Sequence, residues 1–144
     1  MDDPYDLARF MTAQAPVIDD VLAELGAGAK RGHWMWFVFP QLAGLGRSTT
    51  ARHYAIRDLA EARAYLAHPV LGPRLTAAIA ALMAASGDDP VAILGEIDAI
   101  KLRSSLTLFE AAGFEAAGGP SAIAVALDRF YAGRRDPATC ALLA

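Results

Sequence analysis

Asp98, Lys101 and Ser105 are spaced so that a helix would place all three side chains on one face. At about 100° per residue, a helix from Ile97 to Glu110 projects them within a narrow sector that has apolar residues on both sides. Burying a charge is unfavourable unless it is paired or functional. Two interpretations fit the pattern: a satisfied Asp98–Lys101 pair at i,i+3, or the polar floor of a pocket.

The opposite face of the same helix carries Arg103, Thr107 and Glu110, and we expect it to be the solvated face. Ser105 lies four residues after Lys101, so the two side chains are neighbours on the helix. A serine nucleophile needs a base beside it. The Gly-x-Ser-x-Gly elbow typical of serine hydrolases is absent around Ser105.

The segment HWMWFVFP, residues 33–40, holds both tryptophans of the chain, two of its six phenylalanines and one histidine. Large aromatic side chains contribute strongly to a core. We expect core positions for the four apolar members, Met35, Phe37, Val38 and Phe39. The remaining three, His33, Trp34 and Trp36, carry polar atoms. A tryptophan beside a pocket can instead stack on a base or another ring.

Arg47 and Ser48 follow a loop in which Gly44 and Gly46 permit tight turns. Ser48 is predicted to cap a short helix. Free N–H groups, the helix dipole and an arginine together favour a phosphate or carboxylate. The full phosphate-loop pattern, Gly-x-x-x-x-Gly-Lys-Ser/Thr, is absent, so an ordinary capped helix with a solvated arginine is the alternative.

The three histidines, His33, His53 and His68, lack the spacing of a metal site such as His-x-x-x-His. Cys140 is the only cysteine, which excludes an internal disulfide and a cysteine-based zinc site. We therefore expect no metal and no cofactor. His68, directly before Pro69, is expected to terminate a helix at the surface.

Charge is distributed unevenly along the chain. The net charge of −3 argues against general nucleic-acid binding. Between Leu25 and Arg57 there is no Asp or Glu, and all the charged residues of that stretch are basic: Lys30, Arg31, Arg47, Arg52 and Arg57. A local positive field of this kind favours a small anionic ligand, although chance clustering would give the same pattern.

The helices that must position these groups are marked by their caps. Asp-Pro occurs at 3–4, 89–90 and 136–137, where Asp can cap a helix and Pro suits its first turn, and Gly-Pro-Ser at 119–121 suggests another start. Nine helices are predicted, over residues 4–13, 16–25, 48–54, 58–67, 71–85, 90–94, 97–112, 120–132 and 137–143.

No stretch alternates as paired β-strands would. The only doubtful segment, residues 33–41, has strand-like composition but no partner strand, so we expect a buried helical turn or an extended stretch. The fold class predicted is all-α: a compact single domain, residues 1–144, of about seven to nine short helices. No window reaches the roughly 18 apolar residues of a membrane helix, and the acidic N-terminus is unlike a secretory signal, so a cytoplasmic location is expected.

Three runs resemble a family of small bacterial proteins of unknown function, whose members are often labelled calpastatin. These are LGAGAKRGHWMWFVFPQLAGLGRSTTARHYAI, EARAYLAHPVLGPRL and IDAIKLRSSLTLF. The resemblance extends from Arg9 to Thr139, and its most specific motif is Lys-x-x-His-Trp-Met-Trp-Phe-x-Phe-Pro-Gln. It implies an all-helical fold and supplies no established activity. Calpastatin inhibitors are long and disordered, whereas this short, apolar, capped chain should fold by itself.

The leading hypothesis is a pocket that binds, and in one version hydrolyses or transfers, a small anionic ligand bearing a nucleotide or phosphate. Arg47 and Lys101 would neutralise the anion, and Trp34 or Trp36 would stack. For catalysis, His33 or Asp98 is the candidate general base. The ligand-binding set is Lys30, Trp34, Trp36, Gln41, Arg47, Ser48 and Tyr54. The catalytic set is His33, Asp98, Lys101 and Ser105.

Two alternatives use the same residues differently. Residues 33–41 could form an exposed aromatic patch of a non-catalytic protein-interaction module, and such a patch would also make a homodimer conceivable. The motif residues could instead be a folding nucleus only. A concave pocket lined by both motifs favours the ligand hypothesis, a flat aromatic patch favours the interaction module, and full burial favours the nucleus.

Overall fold

The computed structural model describes residues 2–113 and 121–144, and within them the chain is all-helical. The predicted fold class is confirmed. The described helices are α1 Ala8–Gln14, α2 Ile18–Ala27, α3 Met35–Val38, α4 Thr49–His53, α5 Leu59–Ala67, α6 Leu71–Ala84, α7 Pro90–Leu94, α8 Glu96–Ala111, α9 Ala122–Tyr131 and α10 Pro137–Leu143. The helix start predicted at Pro120 lies outside the described residues.

Within the described ranges no single helix is long and apolar enough to span a membrane. The bent pair α5 and α6, which meet at 87°, passes the same test of length and composition together. Residues on both helices belong to the buried core, among them Tyr65, Leu75 and Ile79, as expected for core helices of a folded domain.

Aspartates cap the helices largely as predicted. The side chains of Asp58, Asp89 and Asp136 accept hydrogen bonds from the first free amides of α5, α7 and α10. The N-terminal prediction was wrong in its position, because α1 begins at Ala8 rather than at Pro4. Asp3 still accepts from the amides of Leu7 and Ala8, at 2.8 and 2.9 Å, across an intervening turn.

Within the doubtful segment 33–41, residues 35–38 form the single helical turn α3, which is one of the two conformations expected for it. Its apolar side packs inward, with Met35, Val38 and Phe39 buried. The segment then leads to an isolated parallel bridge between Leu42 and Ile56. That bridge draws the loop before α4 back against the body of the domain.

Helix α8 is the central element, packed against α5, α7, α9 and α10. The prediction of a solvated face at Arg103, Thr107 and Glu110 was wrong, because the segment of chain that leads into α10 covers this face. Thr107 is buried, donates to the Arg103 carbonyl at 2.8 Å and accepts from the Asp136 amide at 2.9 Å. The solvated part of α8 is its N-terminal end, where Ile97 is 71% exposed.

Several hydrogen bonds of the loop between α2 and α3 end on one carboxylate, that of Glu24. Its Oε1 accepts from the backbone amides of Arg31 at 2.6 Å and Gly32 at 2.8 Å, and from the indole N–H of Trp34 at 3.1 Å. Gly32 permits this wrapping, because a Cβ there would lie 2.7 Å from the Trp34 ring. Burial alone would raise the pKa of Glu24, but the three hydrogen bonds outweigh it and the pKa is lowered.

We predict that Gly72→Ala destabilises the domain. A Cβ at Gly72 would lie 2.3 Å from the Leu66 carbonyl oxygen, so α5 and α6 would have to separate. The expected loss in the free energy of unfolding is about 1–3 kcal/mol, measured by urea denaturation. Gly26→Ala is the matched control: it lies in α2 with open space around it, and should gain up to about 1 kcal/mol. Unchanged or higher stability of Gly72→Ala would contradict the packing described.

We also predict a pH-dependent role for Glu24. A lowered folded-state pKa gives stability that is present above the ordinary pKa of 4.5 and is lost as the pH falls through the folded value. Glu24→Gln should therefore cost about 1 kcal/mol at neutral pH, and the gap to the wild type should close in acid. Asp88→Asn, at an exposed site, is the control. A gap that is constant with pH would refute the charged role.

Candidate functional site

One carboxylate, that of Asp98 on α8, lies between two lysines. Its Oδ2 is 2.9 Å from the Lys30 ammonium and its Oδ1 is 3.7 Å from the Lys101 ammonium. The Asp98–Lys101 pair was predicted from the helix spacing. Lys30 comes from the loop after α2, so the ion pair joins that loop to α8. These are the only two lysines of the chain, whereas arginines number eleven.

The two ammonium groups differ in their surroundings. The Lys30 side chain is 8% exposed, and its ammonium donates to the Gly32 carbonyl and lies 5.0 Å from the centroid of the Trp34 ring. The Lys101 side chain is 19% exposed and has no hydrogen bond to any described residue. Its ammonium lies 4.4 Å over the ring of Trp36. Lys101 therefore retains donor capacity that Lys30 has used.

A cleft of about 570 Å³ opens beside this cluster. The half-buried ring of Trp36, with Met35, forms one side, and the start of α8 forms the other. Exposed His33 lies at the rim, and exposed Glu96 adds a second carboxylate. The lining residues are Lys30, His33, Met35, Trp36, Leu94, Gly95, Glu96, Ile97, Asp98 and Lys101.

A second cleft, of about 390 Å³, lies on the other side of Trp36 and Lys101. It shares Trp36, Ile97 and Lys101 with the first cleft. The loop before α4 supplies its remaining polar groups, which are Gln41, Arg47 and Ser48. Ser48 caps α4 by accepting from the Ala51 amide at 3.0 Å, so its hydroxyl serves the helix, while Arg47 is exposed.

The structure thus brings together eight of the eleven residues that the sequence proposed for the site: Lys30, His33, Trp36, Gln41, Arg47, Ser48, Asp98 and Lys101. The three others lie elsewhere. Trp34 is 2% exposed, with its indole N–H on Glu24. Tyr54 packs against the rings of Phe10 and Phe37.

Ser105 is fully buried, and its hydroxyl has no hydrogen-bond partner among the described residues. It lines neither cleft, one helical turn deeper than Lys101. The neighbouring Ser104 is also buried, and its hydroxyl approaches the Ile100 carbonyl and the Asp136 carboxylate at 3.2 Å each. Neither serine has the exposed placement that a nucleophile attacking a ligand in the clefts would need.

Sequence reasoning missed Glu24 and Glu96. Glu24 could have been found, because it is the last acid before the stretch from Leu25 to Arg57 that has none, and a basic loop needs a nearby counter-charge. Glu96 gave no signal beyond its place at the start of α8. Glu96 lowers the positive potential of the clefts. Three cations, Lys30, Arg47 and Lys101, line the two clefts together with two carboxylates, Asp98 and Glu96.

A larger cavity, of about 770 Å³, lies between α5, α6 and the end of α8. Small apolar residues line most of it, with Arg63 and Thr76 as its polar members, and none of the proposed site residues reaches it. Across the described residues no cluster of three or more His, Cys, Asp or Glu side chains is placed to hold a metal ion. A further cavity, of about 550 Å³, has charged side chains from Asp88, Asp89, Arg103, Arg129 and Arg134 in its lining, so charged groups are not confined to the clefts beside Trp36.

Comparisons with known proteins place the chain in a family. Residues 4–143 match the family described as "Protein of unknown function (DUF1810)". The crystal structure of the conserved hypothetical protein Rv1873 from Mycobacterium tuberculosis is 49% identical, covers 98% of each chain and superposes with a TM-score of 0.91. No curated protein matches. The chain belongs to the DUF1810 family.

Proposed function

We propose that this chain binds a small anionic molecule, bearing a phosphate or nucleotide, in the clefts on either side of Trp36. The observation that carries the proposal is the state of Lys101. Its ammonium faces both clefts, has no hydrogen bond to a described residue, and is 3.7 Å from its only carboxylate partner. A phosphate oxygen would form a charge-assisted hydrogen bond with this ammonium.

The charges around Lys101 support an anion despite the two carboxylates. Asp98 is occupied by Lys30 at 2.9 Å, so its charge is largely compensated locally. Glu96 is exposed and therefore screened by water. Arg47, in the second cleft, adds a guanidinium that can hold a phosphate or carboxylate with two hydrogen bonds. The balance near Lys101 and Arg47 is positive.

Trp36 supplies the surface for an aromatic part of the ligand. Its ring is half-buried and is covered on one face by the Lys101 ammonium. A partly exposed cation–π contact contributes only about 0.5–1 kcal/mol. Stacking a base on an aromatic ring contributes about 1–3 kcal/mol. A ligand that draws Lys101 onto its phosphate and stacks on the uncovered ring would therefore gain more than the lost cation–π contact contributes.

Hydrolysis or group transfer remains the reaction class proposed if chemistry follows binding. His33 is the better placed of the two candidate bases, since it is exposed at the rim of the first cleft. Both oxygens of Asp98 already face lysines, so Asp98 would have to release one to accept a proton. Its role in this proposal is to position Lys30 and Lys101.

A protein-interaction role is the second candidate, and one observation favours it. Ile97 and Ile100 are 71% and 65% exposed, and both line the second cleft beside Trp36 and Leu45. Exposed apolar side chains next to an aromatic ring are typical of docking surfaces. The two functions are separable, because a docking surface would depend on the isoleucines and an anion site on the cations.

We predict that inorganic phosphate, AMP or ADP raises the thermal midpoint of the wild type. A ligand at 100 times its Kd adds about 2.7 kcal/mol, which corresponds to about 5–10 °C for a chain of this size. Lys101→Gln should weaken binding about 10- to 100-fold, because it removes a charged hydrogen-bond donor. Quenching of Trp36 fluorescence provides a second measurement, with Trp34 as an unaffected buried indole.

Arg63→Gln is the matched control, since it removes an exposed cation at the other cavity. It should bind as the wild type does. Equal weakening by Arg63→Gln and Lys101→Gln would show general electrostatic attraction and would refute a site at Trp36. No shift with any of the three anions would also refute it, and Ile97→Ser with Ile100→Ser would then test the docking surface.

A further inference from the structure

We propose that the face of α8 beside the second cleft binds an acidic amphipathic helix of a partner protein. This inference rests on the protein-interaction function, the second of the two proposed above, and names the partner by its chemistry. The observations that carry it are two exposed isoleucines one helical turn apart, and two cations in a cleft that has no carboxylate among the described residues of its lining.

The exposure of Ile97 and Ile100 is the first step. Across the described residues five large apolar side chains are exposed, and these two are the most exposed, at 71% and 65%. Helix propensity does not account for them, because isoleucine is a weaker helix former than alanine or glutamate. Single exposed apolar residues are common, but two at i,i+3 are neighbours on the helix surface and form one apolar strip. Covering such a strip with another apolar surface is favourable.

The strip continues into the wall of the second cleft. Trp36 and Leu45, both half-buried, line this cleft together with the two isoleucines. The apolar surface therefore runs from α8 to α3 and to the loop before α4. Ile97 and Ile100 stay largely exposed although they line the cleft, so a ligand confined to its volume of about 390 Å³ would cover only part of them. An occupant that covers both must extend beyond the cleft along α8.

The charges of the second cleft determine the charge of the occupant. Arg47 and Lys101 line it, and its described lining includes no carboxylate. The carboxylates of Asp98 and Glu96 line the first cleft instead, and Asp98 is paired with Lys30. Carboxylates of a partner would therefore pair with the two cations, whereas basic side chains would be repelled. The same two cations that suit a small anion thus suit an acidic protein segment.

The fold decides between a helix and an extended peptide. A peptide that adds to a sheet needs a free strand edge, and the described residues form only one isolated bridge, between Leu42 and Ile56. An amphipathic helix instead inserts side chains at i, i+3, i+4 and i+7 into a groove. The second cleft is such a groove, since apolar residues and two cations line it between α8 and the loop before α4. An acidic amphipathic helix therefore matches its lining.

The test is a selection of peptides that bind the folded wild-type protein. The displayed library contains random peptides of about 16 residues, which is long enough for four helical turns. Enriched peptides should carry leucine, isoleucine or phenylalanine at helical spacing, with aspartate or glutamate between them. Their synthetic copies should change the fluorescence of Trp36. Calorimetry gives the Kd, which should rise as the salt concentration rises from about 0.05 to about 0.5 M, because exposed ion pairs are screened.

Variants show which part of the surface the peptides use. Ile97→Ser with Ile100→Ser should weaken binding at least about 30-fold, because two side chains lose their apolar burial. Arg47→Gln should weaken it about 3- to 10-fold, because an ion pair at the edge of the interface is lost. Val125→Ser is the matched control: it removes an exposed apolar side chain of α9 that lines neither cleft beside Trp36, and should bind as the wild type does. Thermal midpoints confirm that all the variants are folded.

The outcomes distinguish this inference from the function on which it rests. Acidic amphipathic peptides whose binding needs both isoleucines and Arg47 support it. Peptides that need the isoleucines but lack carboxylates or helical spacing overturn it, while the docking surface stands. Dimerisation of the wild type that Ile97→Ser with Ile100→Ser abolishes, measured by sedimentation, also overturns it, because the occupant is then a second copy. If no enriched peptide depends on the isoleucines, the docking function fails and the acidic helix fails with it.

Discussion

The ion pair between Lys30 and Asp98 is the contact on which the arrangement around Trp36 depends. It joins the loop after α2 to the first turn of α8, and the Lys30 amide adds a hydrogen bond of 2.9 Å to the Ile93 carbonyl at the end of α7. Glu24 holds the other side of the same loop. Because α3 follows directly, these tethers fix where Trp36 lies relative to Lys101.

Partial burial determines how much the Lys30–Asp98 ion pair contributes to the free energy of unfolding. Removing one partner of a fully buried pair costs about 3–5 kcal/mol, because the other charge is left uncompensated, whereas exposed pairs contribute about 0–1 kcal/mol. With side chains 8% and 19% exposed, Lys30 and Asp98 lie nearer the first case. Lys101 is bound less closely, at 3.7 Å. The cluster therefore combines a firm structural pair with a cation that is held less closely.

The sequence predicted what is local and missed what is long-range. Asp-Pro caps and helical spacing placed most helices within a few residues and put Asp98 beside Lys101, because both features act within one turn. The Lys30–Asp98 pair joins segments far apart in the chain, and periodicity carries no information about it. The prediction that Thr107 is solvated failed for the same reason, because the chain before α10 covers that face of α8.

Trp34 and Trp36 are a second case in which long-range contacts, which the sequence does not reveal, decide what a residue does. Each tryptophan has one lysine near its ring, Lys30 at 5.0 Å and Lys101 at 4.4 Å. Trp34 is buried and donates to Glu24, so its pair is structural. Trp36 is half-buried and lines both clefts, so its pair is the more exposed of the two. Composition cannot assign these roles, because they depend on a carboxylate in α2 that reaches only one of the two indoles.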